Sequence, residues 1–277
     1  MRLISLKVLD AHGSGRTSDV VRAVQFAIDN RATYGIDVIN LSLGHPIFEP
    51  AATDPLVQAV ERAVASGIVV VASAGNSGVN RVTGQVGYAG ISSPGNAPSA
   101  ISVGALDTQN TAARADDTIA DFSSRGPTWY DGYSKPDLVA PGRRDIANSA
   151  PEGSLYAWLA KDAPQKLIAP TNPSGKKSVM SNVAYYISLS GTSMAAGVTT
   201  GVVARMIESN RSRLHPGATT WAPSDLSPNQ VKLILEYTAF PMAATTRSRK
   251  APAPSMRRAQ NSWPRPWTLV SRPASRG

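Results

Sequence analysis

The sequence predicts an α/β fold with a mostly parallel sheet between helices, and two observations carry that prediction. Short β-branched runs alternate with amphipathic helical patterns as far as Leu106, and the strand-like runs, IVVVASAGN above all, are apolar almost without a break. Continuous apolar strands separated by helices imply a sheet buried on both faces, the arrangement that parallel strands with crossover helices produce.

In chain order, ISLKVL (4–9) reads as the first strand. SDVVRAVQFAIDN then sets Val20, Val24, Ala27 and Ile28 at helical spacing, with Thr17 or Ser18 as the expected cap. DVINLSLG is a second strand. DPLVQAVERAVASG is a second helix, capped by Asp54, carrying Pro55 in its first turn and closed by Gly67. IVVVASAGN and AISVGAL supply two further strands. Beyond Asp107 the pattern loosens into turn-rich DFSSRGPT and KPDLVAPG. The stretch from Gly142 to Ser190 shows little periodicity and several prolines, which marks it as a functional loop or a disordered one. A helix is expected from Ser193 to Asn210; Ala195, Ala196, Gly197 and Gly201 suggest close packing on all its sides. SPNQVKLILEYT is a last helix, opened by Ser227, Pro228 and Gln230 in a capping-box pattern.

The 277 residues suffice for one sizeable core, and a hydrophobic fraction of 42% suits a globular chain. No apolar run approaches the ~18 residues that span a bilayer, and the N-terminal MRLISLKVLDAHGSG lacks the features of a signal peptide. Compartment is left open. With no cysteine, disulfides and thiolate chemistry are excluded. The net charge of +9 suggests a nucleic-acid binder until its distribution is read. Arg247, Arg249, Lys250, Arg257, Arg258, Arg265, Arg272 and Arg276 all fall in residues 241–277, where no acidic residue occurs. The rest of the chain carries 20 basic against 19 acidic residues, and no basic stripe is interleaved with aromatics, so neither a nucleic-acid nor a membrane partner is expected. The expected organisation is therefore a single α/β domain over 1–240 and a disordered Arg/Pro/Ser/Ala tail over 241–277, whose composition also fits out-of-frame translation.

The chemistry rests on SLSGTSMAAG (188–197). Alone, a serine at a helix start is an ordinary cap. Its company is what raises it: VVVASAGNSG, INLSLG, SPGNAPSAISVGALD, DFSSRGP and KPDLVAPG occur in the order and approximate spacing of the subtilisin-like serine proteases, and this sequence resembles that family from about Leu3 to Thr238. The resemblance implies the subtilisin-like three-layer fold and peptide-bond hydrolysis through an acyl-enzyme. It makes Ser193 the nucleophile and Asn76 the oxyanion-binding amide. Ser42, Leu43 and Gly44, with Ser73, Ala74 and Gly75, match the two segments beside the pocket for the residue preceding the scissile bond. Small residues there leave backbone groups to pair with an extended peptide or protein substrate. No metal ligand set is recognised; calcium is frequent in the family, but nothing in this sequence supports a site.

Two departures stand out. The family usually has a proline where this chain has Gly197, and glycine lacks proline's preset φ. The catalytic Asp (in Asp-Ser/Thr-Gly) and His (in His-Gly-Thr-His) should precede the serine in chain order, and neither motif is present. The expectation is a fold incomplete at its N-terminus, inactive as an isolated chain for want of a base, and destabilised by unpaired buried strand edges. The alternative is a non-catalytic peptide-binding remnant, a pseudoprotease. His12, His45 and His215 are the possible substitutes; His12 reads as an exposed turn, His45 as a cleft-rim residue and His215 as surface loop.

Overall fold

The computed structural model describes residues 2–80, 82–168, 186–217 and 224–242. The chain divides into two units, Met1–Pro241 and Met242–Gly277, and the expected basic tail lies outside the described residues apart from Pro241 and Met242. In order the elements are α1 (Thr17–Asp29), α2 (Arg31–Tyr34), β1 (Val38–Leu41), β2 (His45–Pro46), α3 (Pro55–Ala65), β3 (Val69–Ser73), β4 (Ser92–Ser93) and β5 (Ile101–Asp107). They continue with β6 (Thr118–Ile119), β7 (Leu138–Pro141), β8 (Asp145–Asn148), α4 (Ser154–Asp162), β9 (Leu167–Ile168), β10 (Tyr186–Leu189), α5 (Thr192–Leu214) and α6 (Pro228–Thr238).

β1, β3, β5 and β7 form the parallel sheet, with β6 antiparallel at the end of β5. Alternation along β3 builds the two cores. Val70 and Ala72 point to Val20 and Val24 of α1 and Leu56, Val57 and Val60 of α3. Val69 and Val71 point the other way, to Ala195, Ala196, Val203 and Ile207 of α5 and Val231 of α6. All five β3 residues are buried, as the apolar run Val69–Ala72 requires, and Ser73 is buried with them. Helix starts follow the sequence closely at two places. Asp54 caps α3 by accepting from the N–H groups of Leu56 (2.8 Å) and Val57 (3.3 Å), with Pro55 behind it. Ser227 and Gln230 close a full capping box on α6.

Several expectations are corrected. Residues 4–9 form no strand; Leu3, Ile4 and Leu6 are exposed, and only Val8 packs against the α1–α3 core. An apolar run becomes a strand only where a ladder partner is present, and β1 pairs solely with β3 among the described residues. The feared buried edges do not arise there, because Val38 and Ile39 are half-buried and Asn40 is exposed, so water reaches that edge. The N-cap of α1 is Arg16, with no side-chain cap, rather than Thr17 or Ser18. The supposed loop after Gly142 carries a three-stranded antiparallel sheet, β8-β10-β9, beside α4, with Leu159, Ala163 and Ile187 as its own small core. That core is too short in sequence to show periodicity. Finally, α5 runs to Leu214, and only one of its sides is packed: Ala195 and Ala196 are buried, whereas Gly197, Val198, Gly201 and Val202 are exposed.

Candidate active site

Leu41 of β1 pairs with Ala72 of β3, so the segments that follow, Ser42–Gly44 and Ala74–Asn76, leave the sheet side by side at its carboxyl end. Ligands of open α/β sheets bind outside that end. The start of α5 arrives at the same place. Ser193, its second residue, donates its hydroxyl to Ser42 O (3.2 Å), while the Ser42 hydroxyl donates to Ser193 O (2.9 Å). Asn40 Nδ2 in turn donates to Ser42 Oγ (2.9 Å). The serine is thus held to the segment after β1 by a reciprocal pair of bonds, and the first turn of α5 brings Ser193 N and the positive dipole end to the same space, its Thr192, Met194 and Ala195 N–H groups being already bonded.

Asn76 is oriented by Thr192, a residue that pattern reading had not singled out. Asn76 Oδ1 accepts from Thr192 N (2.9 Å) and Thr192 Oγ1 (3.1 Å), and Thr192 Oγ1 accepts from Gly75 N (3.1 Å). With its carbonyl end occupied twice, the amide presents Nδ2 outward. The glycine before Thr192 shows where: a Cβ on Gly191 would stand 3.6 Å from Asn76 Nδ2 and 3.7 Å from Ser193 N. Two N–H donors therefore flank one point that a glycine keeps open, the arrangement that stabilises charge developing on an oxygen.

A cleft of about 550 Å³ runs past this point, walled by Leu43, Gly44, His45, Ile91 and Trp129 and reaching Asn76 and Ser193. None of its lining residues is Asp, Glu, Lys or Arg. Ile91 and Trp129 had no signal in sequence spacing; they come from loops that only the tertiary fold brings to the cleft. The two predicted binding segments play different parts. No backbone hydrogen bond engages the N–H or C=O groups of Leu43 and Gly44 among the described residues, so these groups stand unpaired beside the cleft. Ser73 is buried in β3, Ala74 N donates to Val103 O, Ala74 O accepts from Ser92 N, and Gly75 O accepts from Ser124 N. That second segment is a wall whose backbone is already spoken for; Ser73 and Gly75 line the cleft, and Ala74 sits behind it.

No histidine among the described residues bonds to Ser193, whose bonding partner is Ser42. His12 projects from an exposed turn, with its N–H bonded to Asp10. The Asp10 carboxyl is held below its ordinary range by the N–H groups of Ser14 and His12, which is turn chemistry. His215 caps the far end of α5, a helix of 23 residues and about 35 Å in length. His45 does line the cleft, yet its Nδ1 donates to Pro46 O (2.7 Å), its ring stacks on Phe48, and Nε2 is buried without a partner. No group of three or more His, Asp or Glu side chains suited to a metal ion occurs among the described residues.

A family model, the Subtilase family, matches residues 1–262. The chain is similar to "Serine protease AprX" of Bacillus subtilis (strain 168), 37% identical over 239 residues, which are 84% of this chain and 45% of that protein. It is also similar to "Subtilisin E" of the same organism, 39% identical over 156 residues, or 56% of this chain and 34% of the relative. The chain spans less than half the length of these relatives. Among solved structures it is similar to "Sphericase" (TM-score 0.56, 25% identity, 84% of this chain and 58% of that one). It is likewise similar to a "cold adapted subtilisin-like serine proteinase" (TM-score 0.53, 26% identity, 87% and 62%).

Proposed function

This chain belongs to the subtilase family, and on that premise we propose that its cleft is a serine endopeptidase site in which Ser193 forms the acyl-enzyme. The observation that carries the reading is the pair of donors, Asn76 Nδ2 and Ser193 N, flanking the space beside Gly191. An extended peptide pairs with the open backbone of Leu43 and Gly44, which sets a carbonyl carbon against Ser193 Oγ. Attack forms the Oγ–C bond and moves the carbonyl π electrons onto oxygen, where the two N–H groups receive the charge. The tetrahedral adduct collapses with loss of the amine, and water then hydrolyses the ester. The hydroxyl proton needs an acceptor at the first step and the amine needs a donor at the second.

Ser193 Oγ is bonded to a carbonyl oxygen, Ser42 O, which is no base. The proposed activity therefore requires a histidine–carboxylate pair delivered to Ser193 from outside the described residues. Without it, oxyanion stabilisation and binding alone retain roughly 1,000- to 10,000-fold over water, a figure known from a subtilisin, and too slow for useful proteolysis. The same bond favours a second reading, a peptide-binding cleft that does not cleave.

A fluorophosphonate probe tests both. Labelling at Ser193 that disappears in Ser193→Ala supports the protease. Saturable binding of an extended peptide with no labelling and no cleavage supports the binding remnant. Absence of both labelling and peptide binding removes the two readings together.

A further inference from the structure

Asp145, the first residue of β8, carries a carboxyl with no partner. The residue is half-buried, Oδ2 is fully buried, and no hydrogen bond or ion pair reaches either oxygen among the described residues. Burial alone holds the group above the ordinary carboxylate range. Other buried carboxylates of this chain are compensated. Asp54 caps α3 and accepts from Ser93 Oγ. Asp137 meets the ammonium groups of Lys135 (2.8 Å) and Lys232 (3.0 Å), the first of which burial pushes down to about 8.

Two arginines stand directly before Asp145 and leave it unpaired. Arg143 Nε reaches Asp107 Oδ2 (3.3 Å) and its Nη1 donates to Asp121 Oδ1 (2.9 Å), while Arg144 Nη2 donates to Asp107 Oδ1 (3.1 Å). Arg144 takes φ 59°, which is unfavourable for a residue with a Cβ. An unpaired, partly desolvated carboxyl is costly to keep, and a ligand is one reason to keep it.

The path from β10 into α5 shows which ligand. It crosses the carboxyl end of the sheet one contact at a time. Leu189 pairs with Asp145, Ser190 Oγ accepts from Arg144 N (2.9 Å), and Gly191 N donates to Gly142 O (2.8 Å). Thr192 N then donates to Asn76 Oδ1 (2.9 Å), and Ser193 Oγ to Ser42 O (3.2 Å). The cleft lies at the Ser193 end of this crossing and Asp145 at the other. Register puts Asp145 beside Leu189 on the sheet face that α4 covers, the source of its desolvation. Four residues separate Leu189 from Ser193, a span of no more than about 15 Å. A peptide whose leading part fills the cleft, with its carbonyl beside Gly191, therefore leaves Ser193 past Ser190 and Leu189.

We propose, on the reading of the cleft as a peptide site, that Asp145 is a specificity-determining residue. It takes the side chain of a lysine or arginine about two to four residues beyond the bond that faces Ser193. The cation supplies the partner that Arg143 and Arg144 withhold, and a charge-assisted hydrogen bond offsets the desolvation that the carboxylate already bears. No Asp, Glu, Lys or Arg lines the cleft itself, so the cleft adds no competing preference for charge.

The test reads binding, not turnover, on the full chain carrying Ser193→Ala. Fluorescent peptides of about eight residues, apolar in their first half, carry Lys, Gln or Glu at each later position in turn, and anisotropy gives Kd. At one or more of these positions Lys should bind about 10-fold more tightly than Gln, and Glu more weakly than either. Asp145→Asn should remove the difference and Asp145→Lys should invert it in favour of Glu. Asp145→Asn should also melt no lower than the parent, because its carboxyl has no bond to lose. Equal Kd for all peptides would overturn the inference and leave the peptide cleft standing. Failure of every peptide to bind would remove the cleft reading and this inference with it. A Lys preference that persists in Asp145→Asn, or a lower melting temperature of that variant, would overturn the role of Asp145 alone.

Discussion

Asp54→Ala tests how the start of one helix supports the cleft. The Asp54 carboxylate is 2% exposed and makes two kinds of contact. Oδ1 caps α3 through Leu56 N and Val57 N, and Oδ2 accepts from Ser93 Oγ at 2.7 Å. Ser93 is fully buried and pairs across β4–β2 with His45, next to Gly44 of the cleft. Truncation removes the cap, at about 1 kcal/mol, and leaves a buried hydroxyl without its acceptor, at about 1–3 kcal/mol. The expected loss is about 2–4 kcal/mol, a large share of the roughly 5–15 kcal/mol that stabilises a typical protein. Urea unfolding followed by circular dichroism measures it. Asp54→Asn keeps the capping oxygen and offers an amide to Ser93 Oγ, so it should lose no more than about 1 kcal/mol. An Asp54→Ala loss under about 0.5 kcal/mol, the range of an inconsequential surface change, would refute the link between α3 and β4.

Other consequences are as specific. If the probe labels Ser193, Asn76→Leu should slow labelling roughly 100- to 1,000-fold, a magnitude known from a subtilisin, without moving the melting temperature by more than a few degrees; an unchanged rate would remove Asn76 from the oxyanion site. Gly44→Ala places a Cβ 2.6 Å from Ser93 O, a backbone atom that cannot swing away. It should destabilise the chain by about 1–3 kcal/mol, and unaltered urea unfolding would contradict the close β2–β4 approach. The depressed Lys135 ammonium has a sign that can be worked out. The unfolded chain binds its proton more tightly than the folded one, so stability should rise as pH passes from about 8 towards 10.5. That slope, measured by urea unfolding across the range, should vanish in Lys135→Met; a slope equal in both proteins would assign it elsewhere.

The sequence by itself determined the helices and strands that build the core from α1 onward, and it singled out Ser193 as the candidate nucleophile. An unbroken β-branched and apolar run such as Val69–Ala72, between two helical patterns, reads as a strand covered on both faces, because leaving either face wet would expose it. Caps at Asp54 and Ser227 were legible because their partners lie within three residues. Ser193 and Asn76 stand out as candidates because each belongs to a short contiguous motif. What the tertiary structure decided depends on partners distant in the chain. Residues 4–9 have a strand's composition but pair with no strand among the described residues, and a strand's identity lies in its ladder. The grip of Thr192 on Asn76 spans 116 positions, and the reciprocal bonds of Ser42 and Ser193 span 151. The Lys135–Asp137–Lys232 cluster joins the entry to β7 with α6, two places far apart in the chain. Local pattern encodes hydrophobic periodicity and capping, since these act within a few residues. Hydrogen bonds between loops carry no periodic signal and exist only once the sheet has set the loops side by side.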